Sequence, residues 1–162
     1  MLSPPRKFRM IVPNLTISGP LESGNVGFLK SAGCRKIVTV GGGFIGPEVV
    51  AQVKTNHMEA SHYSFTPFDK TDEVESAIKR IFNYVVNNLK SGSRVHIAGD
   101  VSLIDVATLI GCFRKMLEWN TGYAIAEAID ISDSVEIADM INIITDFDAR
   151  EWSRKLTYEE TR

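Results

Sequence analysis

The sequence predicts an α/β fold: a central, twisted, mostly parallel sheet flanked by helices on both faces. Three observations carry this. The β-branched run Lys36-Ile-Val-Thr-Val40 and the shorter run Val95-His-Ile-Ala98 read as strands, the first of them central. Between them Val74, Ile78, Ile81, Phe82, Val85 and Val86 recur at the spacing of an amphipathic helix. Each run then leads into a helix through a loop, Gly41 to Gly46 after the first and Gly99 to Ile104 after the second. Strands that alternate with helices imply one sheet covered on both sides.

In chain order, residues 1–7 are Pro-rich and basic and read as a flexible arm. A single domain is expected over residues 8–162. Phe8–Val12 and Leu15–Ser18 are two short strands broken at Pro13-Asn14, a turn pair. Glu22–Ala32 is a short helix stopped by Gly33. Pro47 fits the first turn of a helix running to about Lys54, and Met58–Phe65 is extended. After the polar loop Thr66–Asp72, Thr71 or Asp72 is expected to cap the long amphipathic helix, with Glu73 and Glu75 in its first turn. The helix after Val95–Ala98 spans Asp105–Trp119. Asn120-Thr-Gly122 reads as a turn, followed by helices over about Tyr123–Asp130 and Val135–Phe147. Trp152 is expected to dock the charged C-terminal segment.

Composition narrows the function classes. The chain has 162 residues, a formal charge of −2 and 44% hydrophobic residues. A net negative charge makes nucleic acid and anionic membranes poor partners. No apolar run approaches the roughly 18 residues of a membrane span, and the N-terminus lacks the layout of a signal peptide. Two cysteines, Cys34 and Cys112, form no disulfide framework. Cys112 lies among apolar neighbours and reads as a buried, inert thiol. A cytoplasmic location is expected. His57, His62 and His96 have no metal-ligand spacing, so no metal is assigned. The pairs and runs Arg114-Lys115 and Arg150–Lys155 read as solvated helix faces.

Gly41-x-Gly43-x-x-Gly46 matches the dinucleotide fingerprint and sits between a strand and a helix. It does not follow the first strand, no acidic residue ends the next strand, and Pro47 removes a backbone N–H near the expected pyrophosphate. No cofactor is assigned, and dinucleotide binding stays a minor alternative.

The loop Ala98–Asp105 (A-G-D-V-S-L-I-D) is the informative one. A strand-to-helix loop offers converging N–H groups and a helix dipole to an anion. This one carries Asp100 and Asp105 and no Lys, Arg or Cys. Asp105 is available to N-cap the helix that follows and to neutralise its dipole.

Leu109–Trp119 (L-I-G-C-F-R-K-M-L-E-W) resembles the helix after the catalytic loop of plant and fungal atypical dual-specificity phosphatases, a cysteine-phosphatase family. The upstream segments I-V-P-N-L-T-I-S-G-P, F-L-K-S-A-G and K-I-V-T-V, and the Gly46-Pro-Glu step, are similar to that family's entry segment in the same order. The resemblance covers about Phe8 to Phe147 and implies a cysteine-phosphatase-like fold. Members carry a His-Cys-x5-Arg-Thr-Gly loop whose thiolate attacks phosphorus while the arginine clamps the phosphoryl oxygens. Without gaps, Ala98 stands at the His, Gly99 at the Cys and Asp105 at the Arg, with Val106 and Ala107 at the Thr and Gly. A register from His96-Ile97 places Ile97 at the Cys and Leu103 at the Arg. Asp69, with Asp72 second, matches the family's acid loop.

The resemblance therefore implies a degenerate phosphate loop, Ala98, Gly99, Asp100, Val101, Ser102, Leu103, Ile104 and Asp105, with Asp69 as a vestigial acid. The expectation is a chain that is not an enzyme: a pseudophosphatase acting as a regulatory or scaffolding subunit with active or inactive phosphatase paralogues. The alternative from a different class is altered chemistry, with Asp100, Asp105, Asp69 and His96 around one pocket that binds a divalent metal such as Mg²⁺ or a cationic substrate.

Overall fold

Two short strands at the start set one edge of the sheet. Pro13 and Asn14 turn β1 (Arg9–Val12) back on β2 (Leu15–Ser18), antiparallel, with a register irregularity between Met10 and Val12. The computed structural model describes residues 2–41, 45–156 and 158–161. Residues 2–7 hold neither helix nor strand, but Ser3 N–H donates to Gly24 O, Asn25 Nδ2 to Ser3 O, and Gly19 N–H to Arg6 O.

The remaining elements follow as α1 (Asn25–Ser31), β3 (Lys36–Val40), α2 (Pro47–Thr55), β4 (Glu59–Tyr63), α3 (Thr71–Lys90), β5 (Val95–Ala98) and α4 (Ile104–Met116). The chain closes with α5 (Thr121–Ile131), α6 (Ala138–Asp146), α7 (Arg150–Ser153) and α8 (Tyr158–Thr161). The five strands lie in the order β1-β2-β5-β3-β4, and every pairing except β1 with β2 is parallel. The α/β sheet is as the sequence predicts; β3 is an interior strand, and β5 rather than β3 takes the middle place.

Two apolar clusters sandwich the sheet. Val26, Leu29, Ile37, Val49 and Val53 join α1 and α2 to one face. The larger cluster joins α3, α4, α5 and α6 to the other, through residues such as Ile81, Phe82, Leu109, Phe113, Ala128 and Ile144. Trp152 docks the C-terminal segment as expected, its ring 5.4 Å from that of Phe82.

Several local expectations change. Lys70, not Thr71 or Asp72, occupies the N-cap of α3 and makes no side-chain cap, so the first-turn acids Asp72 and Glu73 face the dipole instead. α1 starts at Asn25, with left-handed Gly24 at its N-cap, rather than at Glu22. Asn120 opens α5 two residues earlier than expected by accepting from Gly122 N–H at 2.9 Å. α4 ends at Met116 and α6 spans less than Val135–Phe147.

Arg114 and Lys115 do not form a solvated face. Arg114 pairs with Glu127 of α5 at 2.8 Å, donates to Ile11 O and lies over the Trp119 ring. Lys115 Nζ donates to the carbonyls of Ile144, Thr145 and Phe147, at 2.8, 3.0 and 2.7 Å. A cation at a helix C-terminus that also meets free carbonyls gains on both counts. Lys115→Met keeps the stem and removes the charge. It is expected to cost about 2 kcal/mol, read as a fall in the urea midpoint with unchanged slope.

Candidate functional site

The site grows from β5, the middle strand. All four of its residues are buried, and its carboxyl end opens into the loop Gly99–Leu103. This is the edge where parallel α/β sheets bind ligands. Gly99 N–H donates to Ser18 O at 2.9 Å, which anchors the loop's first residue to β2.

The loop is organised by its own carboxylates. Asp100 Oδ1 accepts from Ser102 N–H at 3.0 Å and from Ser102 Oγ–H at 2.7 Å, an Asx turn that folds the loop back. Leu103 follows in the left-handed region, φ 62°, with its side chain fully buried. It takes the N-cap place of α4 and offers no side-chain cap. The expected N-cap, Asp105, lies instead in the first turn. Its Oδ1 accepts from Val106 N–H at 2.7 Å and its Oδ2 from Asp100 N–H at 3.2 Å.

The Asp105 carboxylate therefore turns inward and takes two backbone donors of the loop. It is 1% exposed. A Cβ on Gly99 would stand 2.6 Å from its Oδ1, and a Cβ on Gly41 would run into its Oδ2. Burial, then the neighbouring Asp100 charge, push its acid constant up to about 7, against the pull of the Val106 and Asp100 N–H groups. Where an anion-binding loop would present N–H groups to a ligand, here Asp100 N–H and Val106 N–H are turned to the Asp105 carboxyl and Ser102 N–H to that of Asp100.

His96, two residues before the loop, is buried at 0% exposure between two hydroxyls. Its Nδ1 lies 2.8 Å from Thr16 Oγ1 and its Nε2 2.7 Å from Ser18 Oγ. Ser18 Oγ–H is donated to Gly19 O, so Ser18 accepts from Nε2–H and Thr16 donates to Nδ1. Burial holds this imidazole neutral, its acid constant lowered to about 3. The unfolded chain takes up that proton near pH 6.5 and the native one does not until about 3. His96 thus removes stability as pH falls through that window.

The predicted site residues separate into those the fold joins and those it does not. Asp100, Asp105 and Gly41 meet. Val101 stands at the loop tip, 73% exposed. Asp69 holds its own loop by accepting from Thr66 N–H at 3.3 Å. With His96 held by β2, the four groups of the metal alternative share no pocket. No group of three or more His, Cys, Asp or Glu side chains that could hold a metal occurs among the described residues. The dinucleotide reading is not favoured either. Gly41 packs against a carboxylate, Gly43 lies outside the described residues, and Pro47 starts α2. Sequence reasoning missed Thr16 and Ser18, whose roles depend on pairing between β2 and β5, and it placed Ser102 in the loop without the turn it makes with Asp100.

Both thiols lie away from the loop's chemistry. Cys112 is buried inside α4 and its thiol is pushed up to about 12 by burial. Cys34 is likewise raised to about 11. Thiolate is the reactive form, so neither is expected to alkylate in the native protein. Iodoacetamide at neutral pH should leave the intact mass unchanged, and any phosphate-ester turnover should survive Cys112→Ala.

Solved structures share this architecture. The core catalytic domain of the PP-IP phosphatase SIW14 from S. cerevisiae superposes with a TM-score of 0.81 at 17% identity, covering 95% of this chain and 93% of that one. TpbA from P. aeruginosa gives 0.71 at 12% identity, with 91% and 88% covered. Tk-PTP in its active form gives 0.67 at 14% identity, with 88% and 97% covered. No curated protein sequence matches the chain. These neighbours bear out the cysteine-phosphatase-like fold. They also overturn the expectation that the chain is not an enzyme as a reading of this fold: the structures it superposes on include the catalytic core of a phosphatase. What stands of the sequence reading is narrower, that Ala98–Asp105 itself carries no thiol and no guanidinium. Matched over residues 2–161 by the model of the tyrosine phosphatase family, the chain belongs to that family.

Proposed function

We propose that this tyrosine-phosphatase-family domain works as a regulatory or scaffolding subunit, in the cytoplasm, with phosphatase-like protein partners. The observation that carries the reading is the mouth of the loop. Inside, Asp105 engages Asp100 N–H of the loop and Val106 N–H at the start of α4. Outside, Val101 and Val135 are exposed at 73% and 94%, on segments joined by the hydrogen bond from Asp133 N–H to Ser102 O. Large apolar side chains placed singly on a surface are ordinary. Two of them on linked loops beside the family's functional edge favour a protein partner over a small anion. A net charge of −2 disfavours nucleic acid and anionic membranes as the partner, and no helix among the described residues is long and apolar enough to cross a membrane.

The test is capture from the native cell with the wild-type chain and with Val101→Asp/Val135→Asp. Recovery of a phosphatase-family chain by the first and not the second supports the proposal. Equal recovery, or no phosphatase-family chain at all, sinks it. Assaying aryl phosphate turnover of the chain, the partner and the complex then separates a subunit that modulates its partner from one that adds turnover of its own.

A further inference from the structure

The loops that follow β3 and β5 are tied together at a single point. Gly41 follows β3 with φ 87°, a conformation that favours glycine. Asp105 Oδ2 packs directly over it, and Asp100 Oδ2 lies 3.3 Å from the place a Gly41 Cβ would occupy. The two carboxyl groups therefore converge on one spot. Asp105 is enclosed there, and Asp100 is fixed by both donors of Ser102.

A neighbouring carboxylate on the same spot disfavours the ionised form of the enclosed Asp105. Among the described residues, the other groups packed around Asp105 offer no compensating charge. Gly41 follows β3, Gly99 follows β5, and Val106 lies in α4, none of them titratable. His96 in β5 is neutral and spends both ring nitrogens on Thr16 and Ser18. Beyond the loop, Asp133 is paired with Arg6.

We infer that Asp105, packed over Gly41 beside the Asp100 carboxylate, forms a pH-operated latch between the β3–α2 and β5–α4 loops, closed while Asp105 holds its proton and loosened when it ionises. The backbone donors to Asp105, Val106 N–H and Asp100 N–H, hold the acid in place in the closed state. Loss of the proton sets two negative charges against each other beneath the loop mouth. The direction of the Asp105 acid constant, raised by burial and by Asp100, places the transition near neutrality.

The experiment follows the amide signals of Gly41, Gly99 and Asp100 by ¹⁵N–¹H correlation between about pH 5 and 8.5, a range that brackets the expected transition. All three are expected to move with one shared midpoint near neutrality. Asp105→Asn should abolish the transition, and Asp100→Asn should move the remaining midpoint at least tenfold in proton concentration toward acid. The protection factor of Asp100 N–H, corrected for the intrinsic rise of exchange with pH, should fall above the midpoint in the wild type only. Flat signals in the wild-type chain overturn the latch, and that reading needs no variant. A transition that persists unchanged in Asp105→Asn overturns it as well.

Discussion

Phe82→Ala is expected to destabilise the protein by about 4 kcal/mol. Phe82 lies on the buried face of α3 and is fully enclosed. Its ring stacks on Phe113 of α4 at 4.2 Å between centroids and an interplanar angle of 13°. It also meets Phe147, just past α6, at 5.0 Å, and Trp152 of α7 at 5.4 Å. One side chain thus joins three helical segments that are far apart in sequence. Truncation removes the transfer free energy of the ring, leaves a cavity that rigid helices cannot close, and forfeits aromatic pairs of about 0.5–1.5 kcal/mol each beyond their area. At this chain length the loss corresponds to a melting temperature lower by roughly 8–16 °C. Phe68→Ala provides the contrast. Phe68 is exposed, and its loss is expected to fall within about 0.5 kcal/mol. Urea titrations of the two variants decide the matter: equal midpoints would show that the aromatic cluster is not what holds α3, α4 and the C-terminal segment together.

Phe82 also illustrates what was legible in the sequence. Its burial follows from local spacing, as do the ends of β3 and β5, where β-branched runs are bounded by glycine, and the start of α2, where Pro47 sets the backbone. The partners of Phe82 do not follow, because Phe113 and Trp152 reach it through tertiary packing. The same division runs through the loop. A carboxylate near a helix start is legible as a cap or as a first-turn residue, and sequence alone prefers the cap. The outcome turns on Leu103, which enters the left-handed region so that its side chain can fill the space under Gly19. That leaves Asp105 two residues past the N-cap and aims it at Gly41. Arg114 and Lys115 fail as surface residues for a related reason: Glu127 and the last carbonyls of α6 stand opposite them only after α5 and α6 pack on α4. His96 needs the parallel pairing of β2 with β5 to set Thr16 beside it. Family resemblance read the fold well. It read the absence of two side chains too strongly, since a missing thiol and guanidinium describe one route of catalysis and not the whole chain.

Gly41→Ala is expected to destabilise by about 3 kcal/mol, the sum of a backbone effect and a buried polar effect, and its cost should depend on Asp105. An alanine held at φ 87° is strained by roughly 1–2 kcal/mol. Its methyl group would also collide with Asp105 Oδ2. Retreat of that carboxylate breaks its bond from Asp100 N–H and exposes a buried donor, at a further cost of about 1–3 kcal/mol. Because Asp105 is short and enclosed, rotation cannot relieve the clash without losing a partner. A double-mutant cycle separates the two effects. In an Asp105→Ala background the collision is gone, and Gly41→Ala should then cost only the backbone strain. A coupling of about 2 kcal/mol between the sites is the expected result, measured by chemical denaturation at about pH 6, where Asp105 is largely protonated. Raising the pH to about 8 ionises Asp105 in the native state. Its raised acid constant means that stability falls between about pH 4 and pH 7 and is level above that. The coupling should therefore shrink at the higher pH, because repulsion from Asp100 has by then already loosened the packing of Asp105 on Gly41. Costs that simply add at both pH values would show that the carboxylate and the glycine do not share one packed contact.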